Sequence, residues 1–157
     1  MKRIEAIQEI MDEVDDDEIV ITSTGMISRE IYHYKDRPRN FYVMGSMGSS
    51  LGIGIGIALH KPDTNIIVIA GDGEMLMGLS TLVLMNKLML HNLELYILDN
   101  HSYASTGEQL TCSDAITFGE IANCEVIEVE PGKGDAPRID LSPKEIEERF
   151  YDSINNN

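Results

Sequence analysis

Cysteine and basic residues are scarce in this chain of 157 residues. Its two cysteines are too few for a disulfide scaffold, and the amino terminus shows no signal-peptide pattern, so we expect a reduced, cytoplasmic protein. Only 12 Lys and Arg oppose 27 Asp and Glu, which leaves a formal net charge of −15. Such a surface argues against general binding to nucleic acid or to an anionic membrane, so an anionic ligand would need a local pocket. The longest strongly apolar run, roughly residues 51–59, is too short to span a membrane.

The remaining composition is that of a folded α/β protein. Apolar residues make up 43% and charged residues 25% of the chain, and the length suits a single domain, 1–157, with no second domain. The hydrophobic patterns predict alternating strands and helices, which implies a three-layer domain with a mainly parallel sheet and helices on both faces. The predicted strands are 18–22, 41–44, 65–70, 92–98 and 125–129; the predicted helices are 2–14, 28–34, 48–60, 74–90, 114–122 and a last one that begins at the N-cap Ser142, with a frayed tail over 155–157.

The segment 48–60 is the ambiguous one, because its isoleucines alternate as in a strand while its glycines recur at helical spacing. We favour a helix, since Gly48, Gly52 and Gly56 would form a smooth face for close packing. Each glycine lowers the helix propensity by about 1 kcal/mol. An apolar glycine-rich face of this kind would need to be covered by another surface.

Polar residues follow two of the predicted strands directly. Asp72 lies between Gly71 and Gly73 after one strand, and Asn100 follows the next strand, 28 residues later (100 − 72). Asp-Gly is also an ordinary turn sequence. The carboxyl ends of neighbouring parallel strands, however, meet at one edge of a sheet, where ligands bind. An acid, an amide oxygen and a backbone carbonyl would suit Mg²⁺, with diphosphate oxygens completing the coordination.

Four segments carry a family resemblance. Residues 71–100 read GDGEMLMGLSTLVLMNKLMLHNLELYILDN, and residues 45–59 read GSMGSSLGIGIGIAL. Both resemble the metal-diphosphate motif and the glycine-rich loop of thiamine-diphosphate enzymes. The segments STGMISRE (23–30) and DNHSYASTGEQ (99–109) are similar to those of the sulfopyruvate and phosphonopyruvate decarboxylases, and the likeness covers roughly residues 18–129.

The resemblance implies roles for individual residues. The metal ligands would be Asp72, Asn100 and the carbonyl of Ser102. The cofactor would be bound by Thr24, Gly25, Gly45, Ser46, Met47, Gly71, Gly73, Glu74 and Tyr103, with Met47 as the wedge that keeps the cofactor bent. No catalytic residue is certain; Ser105 and Thr106 are the candidates for touching phosphate or substrate. Core packing is the alternative for Met47, and a surface or supporting position is the alternative to a proton relay for His101.

The resemblance also implies that a pyrimidine-binding domain is supplied by a partner chain. Thiamine-diphosphate enzymes need a glutamate from a pyrimidine-binding domain, and no glutamate here has that context. We therefore expect the β subunit of a split 2-oxoacid decarboxylase, with an α subunit as partner in an α2β2 or larger assembly. The expected reaction converts sulfopyruvate to sulfoacetaldehyde and CO₂ for coenzyme M biosynthesis. Phosphonopyruvate decarboxylation is the first alternative. A split transketolase half ranks lower, although GDGE with a GSxG-type loop also occurs in transketolases. A split 2-oxoacid oxidoreductase half and a non-catalytic partner rank lower too. No Arg or Lys stands out for a sulfonate or phosphonate.

Overall fold

A computed structural model describes residues 1–155. Five parallel strands form one sheet in the order β2-β1-β3-β4-β7. Their bounds are β1 Ile19–Thr22, β2 Asn40–Tyr42, β3 Ile66–Gly71, β4 Leu93–Asp99 and β7 Glu125–Glu128, and a separate antiparallel pair consists of β5 Ser102–Tyr103 and β6 Gln109–Leu110. The helices are α1 Arg3–Glu13, α2 Met26–Lys35, α3 Ser50–His60, α4 Asp72–Met77, α5 Leu79–Leu88, α6 Phe118–Ile121 and α7 Pro143–Asn155. The predicted α/β architecture with a mainly parallel sheet is confirmed.

Each face of the sheet is covered by its own hydrophobic core, as expected for parallel strands flanked by helices. Alternate residues of β1 and β3 point to opposite faces: Ile21 and Val68 join the core of α3 and α5, whereas Val20 and Ile67 join that of α1 and α2. A Cβ at Gly54 would lie 2.5 Å from Val68 Cγ2, so glycine lets α3 lie close to the sheet. The helical interpretation of the glycine-rich segment is confirmed, although α3 begins only at Ser50. The predicted packing face of Gly48, Gly52 and Gly56 is wrong, because Gly54 makes the close contact with the sheet and a Cβ at Gly56 would meet no atom of the described residues within 4 Å.

The single long helix predicted over 74–90 is wrong. The structure divides it into α4 and α5 at Gly78, where a Cβ would lie 2.5 Å from the carbonyl oxygen of Gly48. A side chain at Gly78 would prevent this close approach. The break is therefore set by a contact between distant segments, which helical periodicity does not reveal.

Two further local differences follow the fourth strand. The predicted loop after Asn100 contains the β5–β6 hairpin, and the helix predicted over 114–122 is a 3-10 turn, Ser113–Ala115, followed by the short α6. The last helix ends at Asn155, and residues 156–157 of the predicted frayed tail lie outside the described residues. Among the described helices, none has the length and apolar character needed to cross a membrane.

Candidate functional site

A cavity of about 250 Å³ lies at the carboxyl edge of the sheet. The loops that follow β1, β3 and β4 converge there, as expected for parallel sheets. Twelve of the residues singled out from sequence line it: Thr24, Gly25, Met47, Gly71, Asp72, Gly73, Glu74, Asn100, Ser102, Tyr103, Ser105 and Thr106. Gly45 lines a neighbouring cavity instead. Ser46 lines neither of these two cavities, and its carbonyl accepts hydrogen bonds from the backbone and side chain of Ser49 at 3.2 and 2.6 Å.

Asp72 is the buried acid of this cavity, with 2% of its surface exposed. The hydroxyl of Thr111 donates a hydrogen bond to its Oδ2 at 2.5 Å. Burial raises the pKa of the Asp72 carboxyl above its usual value; the bond from Thr111 opposes this shift, and the nearby carboxylate of Asp99 adds to it. Two buried acids so close together favour an added cation.

Asn100 and Ser102 complete the polar end of the cavity. The backbone N–H of Ser102 donates to Asn100 Oδ1 at 3.2 Å, which fixes the amide at the end of β4. The Ser102 hydroxyl is buried and has no hydrogen-bond partner among the described residues. Such a group calls for a ligand, an ion or water.

These donors fit a hard divalent cation such as Mg²⁺. Asp72 and Asn100 offer oxygen atoms at one edge of the sheet, and Ser102, the first residue of β5, lines the same cavity. Mg²⁺ prefers few protein ligands and completes its shell with phosphate oxygens and water. No cluster of three or more His, Cys, Asp and Glu suited to a metal occurs within residues 1–155, so an all-protein metal cage is not the arrangement found there.

Two glycines let the surrounding loops approach closely. A Cβ at Gly73 would overlap the ring of Tyr103, so only glycine allows Tyr103 to lie over the start of α4. Gly25 has φ +83°, in the region that favours glycine, and a Cβ there would lie 3.2 Å from the hydroxyl oxygen of Ser105. Main-chain atoms are thereby left at the cavity wall, where a phosphate-bearing ligand can approach them.

The carboxylate of Glu74 is directed to the start of α3. Its Oε1 accepts hydrogen bonds from the backbone N–H of Ser50 at 3.2 Å and from the Ser50 hydroxyl at 2.8 Å. Its Oε2 is buried and has no partner among the described residues. Glu74 therefore connects the loop after β3 to the glycine-rich helix. The sequence alone gives no signal for this contact, because the two residues are 24 positions apart (74 − 50).

A hydrogen-bond network behind the cavity supports the strand ends. Asp99 Oδ1 accepts from the backbone of His101 at 2.9 Å and from the hydroxyl of Ser113 at 3.0 Å. Ser113 also lies 2.8 Å from His101 Nδ1 and 3.2 Å from the hydroxyl of Thr111, which in turn reaches Asp72. Asp99, Thr111 and Ser113 were not predicted as site residues; Asp99 precedes Asn100 directly, but nothing marks the other two. His101 is half exposed in a supporting position.

The glycine-rich loop before α3 is open at Gly45, although Gly48 in the same loop lies close to Gly78. Gly45 has φ +77°, and an added Cβ there would meet no atom of the described residues within 4 Å. Met44 and Met47 are 41% and 40% exposed. Core packing is therefore not the role of Met47, which lies at the wall of the 250 Å³ cavity.

Comparison with known proteins places this arrangement in a family. The model of the thiamine pyrophosphate enzyme, C-terminal TPP binding domain, matches residues 21–130. The chain is 38% identical to the sulfopyruvate decarboxylase subunit beta of Methanothermobacter thermautotrophicus, over 98% of this chain and 96% of the relative. It is 34% identical to the sulfopyruvate decarboxylase of Methanosarcina acetivorans, over 98% of this chain but 47% of that protein.

Two further similarities cover a smaller share of this chain. A phosphonopyruvate decarboxylase of Streptomyces viridochromogenes is 39% identical over 76% of this chain and 30% of its own length. The structure of the thiamine diphosphate-dependent 4-hydroxybenzoylformate decarboxylase of Rhodococcus jostii RHA1 aligns with a TM-score of 0.69 and 16% identity. The alignment covers 85% of this chain and 33% of the other. At this identity the likeness shows the fold.

Proposed function

We propose that this chain is the β subunit of a split 2-oxoacid decarboxylase that converts sulfopyruvate to sulfoacetaldehyde and CO₂. The chain belongs to the thiamine pyrophosphate enzymes, because it matches their C-terminal TPP binding domain. The observation that carries the proposal is the convergence of Asp72, Asn100 and Ser102 at one cavity, in a chain that aligns along nearly its whole length with a sulfopyruvate decarboxylase subunit beta.

We assign the polar end of the cavity to Mg²⁺ and diphosphate. Asp72 and Asn100 would hold the ion through their side chains and Ser102 through its carbonyl, and the backbone N–H groups of Gly73 and Glu74 would bind the diphosphate. The two buried acids offset the charge of a cation, and the buried hydroxyl of Ser102 has no partner among residues 1–155. The thiamine cofactor, when bound, supplies the electron sink that decarboxylation of a 2-oxo acid requires.

The other cavity residues would shape the bound ligands. Met47, exposed at the cavity wall, would keep the cofactor bent, and Thr24, Gly25 and Tyr103 would enclose it. In the loop after β5, the hydroxyl of Thr106 already donates to Gln109 at 2.9 Å.

Ser105 has no side-chain hydrogen bond within the described residues and lines the cavity beside Gly25. Ser105 is therefore the better candidate of the two for contact with substrate.

A partner chain is part of the proposal. Glu74 is the glutamate among the residues lining the 250 Å³ cavity, and its carboxylate is held by Ser50. The glutamate that activates the cofactor would therefore come from an α subunit, in an α2β2 or larger assembly. The name "subunit beta" of one relative and the double length of another support this division.

The test is a CO₂-release assay on the complex of this chain with its α subunit, with Mg²⁺ and thiamine diphosphate. We expect turnover of sulfopyruvate that depends on both cofactors. Phosphonopyruvate is the second candidate substrate, because a phosphonopyruvate decarboxylase is 39% identical over 76% of this chain. Faster turnover of phosphonopyruvate would assign the chain to that reaction, and turnover of neither would refute the proposal.

A further inference from the structure

A second cavity, of about 580 Å³, lies beside the first at the same edge of the sheet. The two share Thr24 and Gly25 in their walls, and Gly45 also lines the second. A ligand that extends past the first cavity would therefore enter the second. What distinguishes this second cavity is its charge.

Two arginines line the second cavity, and the described residues of its wall include no Asp or Glu. Arg29 belongs to the first turns of α2, and Arg138 to the segment between β7 and α7, so the fold brings together residues 109 positions apart (138 − 29). Arg29 is half-buried and Arg138 is exposed.

Neither guanidinium has a hydrogen bond or an ion pair within the described residues, although other arginines do. Arg3, for comparison, pairs with Glu30 at 2.8 Å and also donates to two main-chain carbonyls, those of Gly132 at 3.1 Å and Lys133 at 3.0 Å.

The nearest acids in sequence are occupied elsewhere. Glu30, next to Arg29, accepts both of its hydrogen bonds from Arg3. Asp140, two residues after Arg138, accepts a hydrogen bond from the hydroxyl of Tyr32. In a chain with a net charge of −15, two arginines left without carboxylates at one cavity form a local positive site. Guanidinium groups bind oxyanions with charge-assisted hydrogen bonds.

We propose that Arg29 and Arg138 bind the second acidic group of the substrate, the sulfonate or phosphonate carried on the carbon next to the keto group. This inference rests on the proposed function, because it takes the substrate to be a 2-oxo acid with a distal oxyanion. The keto acid end lies towards the cavity with Asp72, and the distal group lies past Gly25 between the two arginines. The pair thereby selects substrates with two acidic groups over simple 2-oxo acids.

Direct binding tests the inference without turnover. The probe is 3-sulfopropanoate, which carries a carboxylate and a sulfonate but no keto group, titrated by calorimetry into the cofactor-loaded complex with the α subunit. We expect Arg29→Gln and Arg138→Gln each to weaken its binding by about tenfold or more, the usual scale for a lost charged hydrogen bond. Arg29→Lys should retain part of the affinity, and the affinity for thiamine diphosphate should stay unchanged in every variant.

Arg39→Gln is the matched control. It removes the same charge just before β2, at the opposite end of that strand from the cavities, and should leave probe binding unchanged. Unchanged binding in the Arg29 and Arg138 variants would overturn the inference, and so would a wild-type complex that does not bind the probe. Weaker association with the α subunit at unchanged probe affinity would also overturn it, because the arginines would then serve the subunit interface.

The same experiment separates this inference from the proposed function. Arginine-dependent probe binding by a complex that decarboxylates neither substrate would refute the function and keep the anion site. Turnover of sulfopyruvate with a KM that does not change in either arginine variant would keep the function and refute the anion site.

Discussion

The two sides of the 250 Å³ cavity differ in burial: one side is packed within this chain, and the other is exposed. On one side, Asp72, Asp99, Asn100, Thr111 and Ser113 are buried, and we call them the metal edge after their proposed role. Hydrogen bonds of 2.5 to 3.2 Å join all of them except Asn100, which accepts one from the backbone N–H of Ser102. On the other side, the glycine loop (residues 44–48) exposes two methionines and has open space around Gly45. One side is formed by the chain itself, and the other has the character of a surface that another chain completes.

The largest expected effect concerns the metal edge. Asp72→Ala should abolish Mg²⁺-dependent binding of thiamine diphosphate by the assembled complex, because it removes a proposed metal ligand and not a core side chain. Calorimetric titration measures this. The control is Asp63→Ala, which removes the same charge from an exposed turn. Unchanged cofactor affinity in Asp72→Ala would remove this residue from the site.

The glycine loop should respond differently. Met47→Ala should lower kcat for decarboxylation by about tenfold, because the cofactor would lose a contact that holds it in the reactive orientation. The Mg²⁺ requirement should not change, since the metal edge is intact. Met89→Ala, at an exposed helix end, is the control. Equal kcat in wild type and Met47→Ala at saturating cofactor would leave Met47 without a role in the reaction.

The contact between α4, which begins at Asp72, and α3, which follows the glycine loop, is the third target. Ser50→Ala removes one of two hydrogen bonds to the buried Glu74 carboxylate and should lower the free energy of unfolding by about 1–3 kcal/mol. Denaturant unfolding of the assembled complex measures it. Ser49→Ala is the neighbouring control, since its hydroxyl bonds only to the carbonyl of Ser46 among the described residues. Equal decreases in the free energy of unfolding in the Ser50 and Ser49 variants would mean that Glu74 does not stabilise the contact between α4 and α3.

The smallest effect is a pH dependence of the cofactor-free protein. Burial raises the pKa of Asp72 in the folded state, so the folded form binds more protons than the unfolded form between the two pKa values. This stabilisation is complete below the pKa that Asp72 has in the unfolded chain, and it is lost as the pH rises through the higher pKa that Asp72 has in the folded protein. Asp72→Asn should therefore flatten the dependence of the melting temperature on pH across that interval. Parallel curves for wild type and variant would contradict the assignment of a raised pKa.

The sequence was informative where the chemistry is local. Gly-Asp-Gly and Asp-Asn follow apolar strands directly, and parallel strands bring such ends together, so the cavity and twelve of its lining residues could be anticipated. Contacts between distant segments could not. The break at Gly78 depends on Gly48, and the orientation of Glu74 depends on Ser50.

The supporting hydroxyls and the two arginines show the same limit. Thr111 reaches Asp72 because the β5–β6 hairpin folds back over the strand ends. Arg29 and Arg138 come together through the whole fold, and their guanidinium groups have no partner within residues 1–155 because Glu30 and Asp140 are engaged elsewhere. Periodicity and motif spacing carry no information about such pairings.

The most direct test of the account compares this chain alone with the chain plus its α subunit. CO₂ release from sulfopyruvate and phosphonopyruvate is measured at saturating Mg²⁺ and thiamine diphosphate, with light scattering to report the size of the assembly. The account predicts no turnover by the chain alone, and turnover on addition of the α subunit together with a shift to a larger hetero-oligomer. Turnover by a monomer of this chain would contradict it.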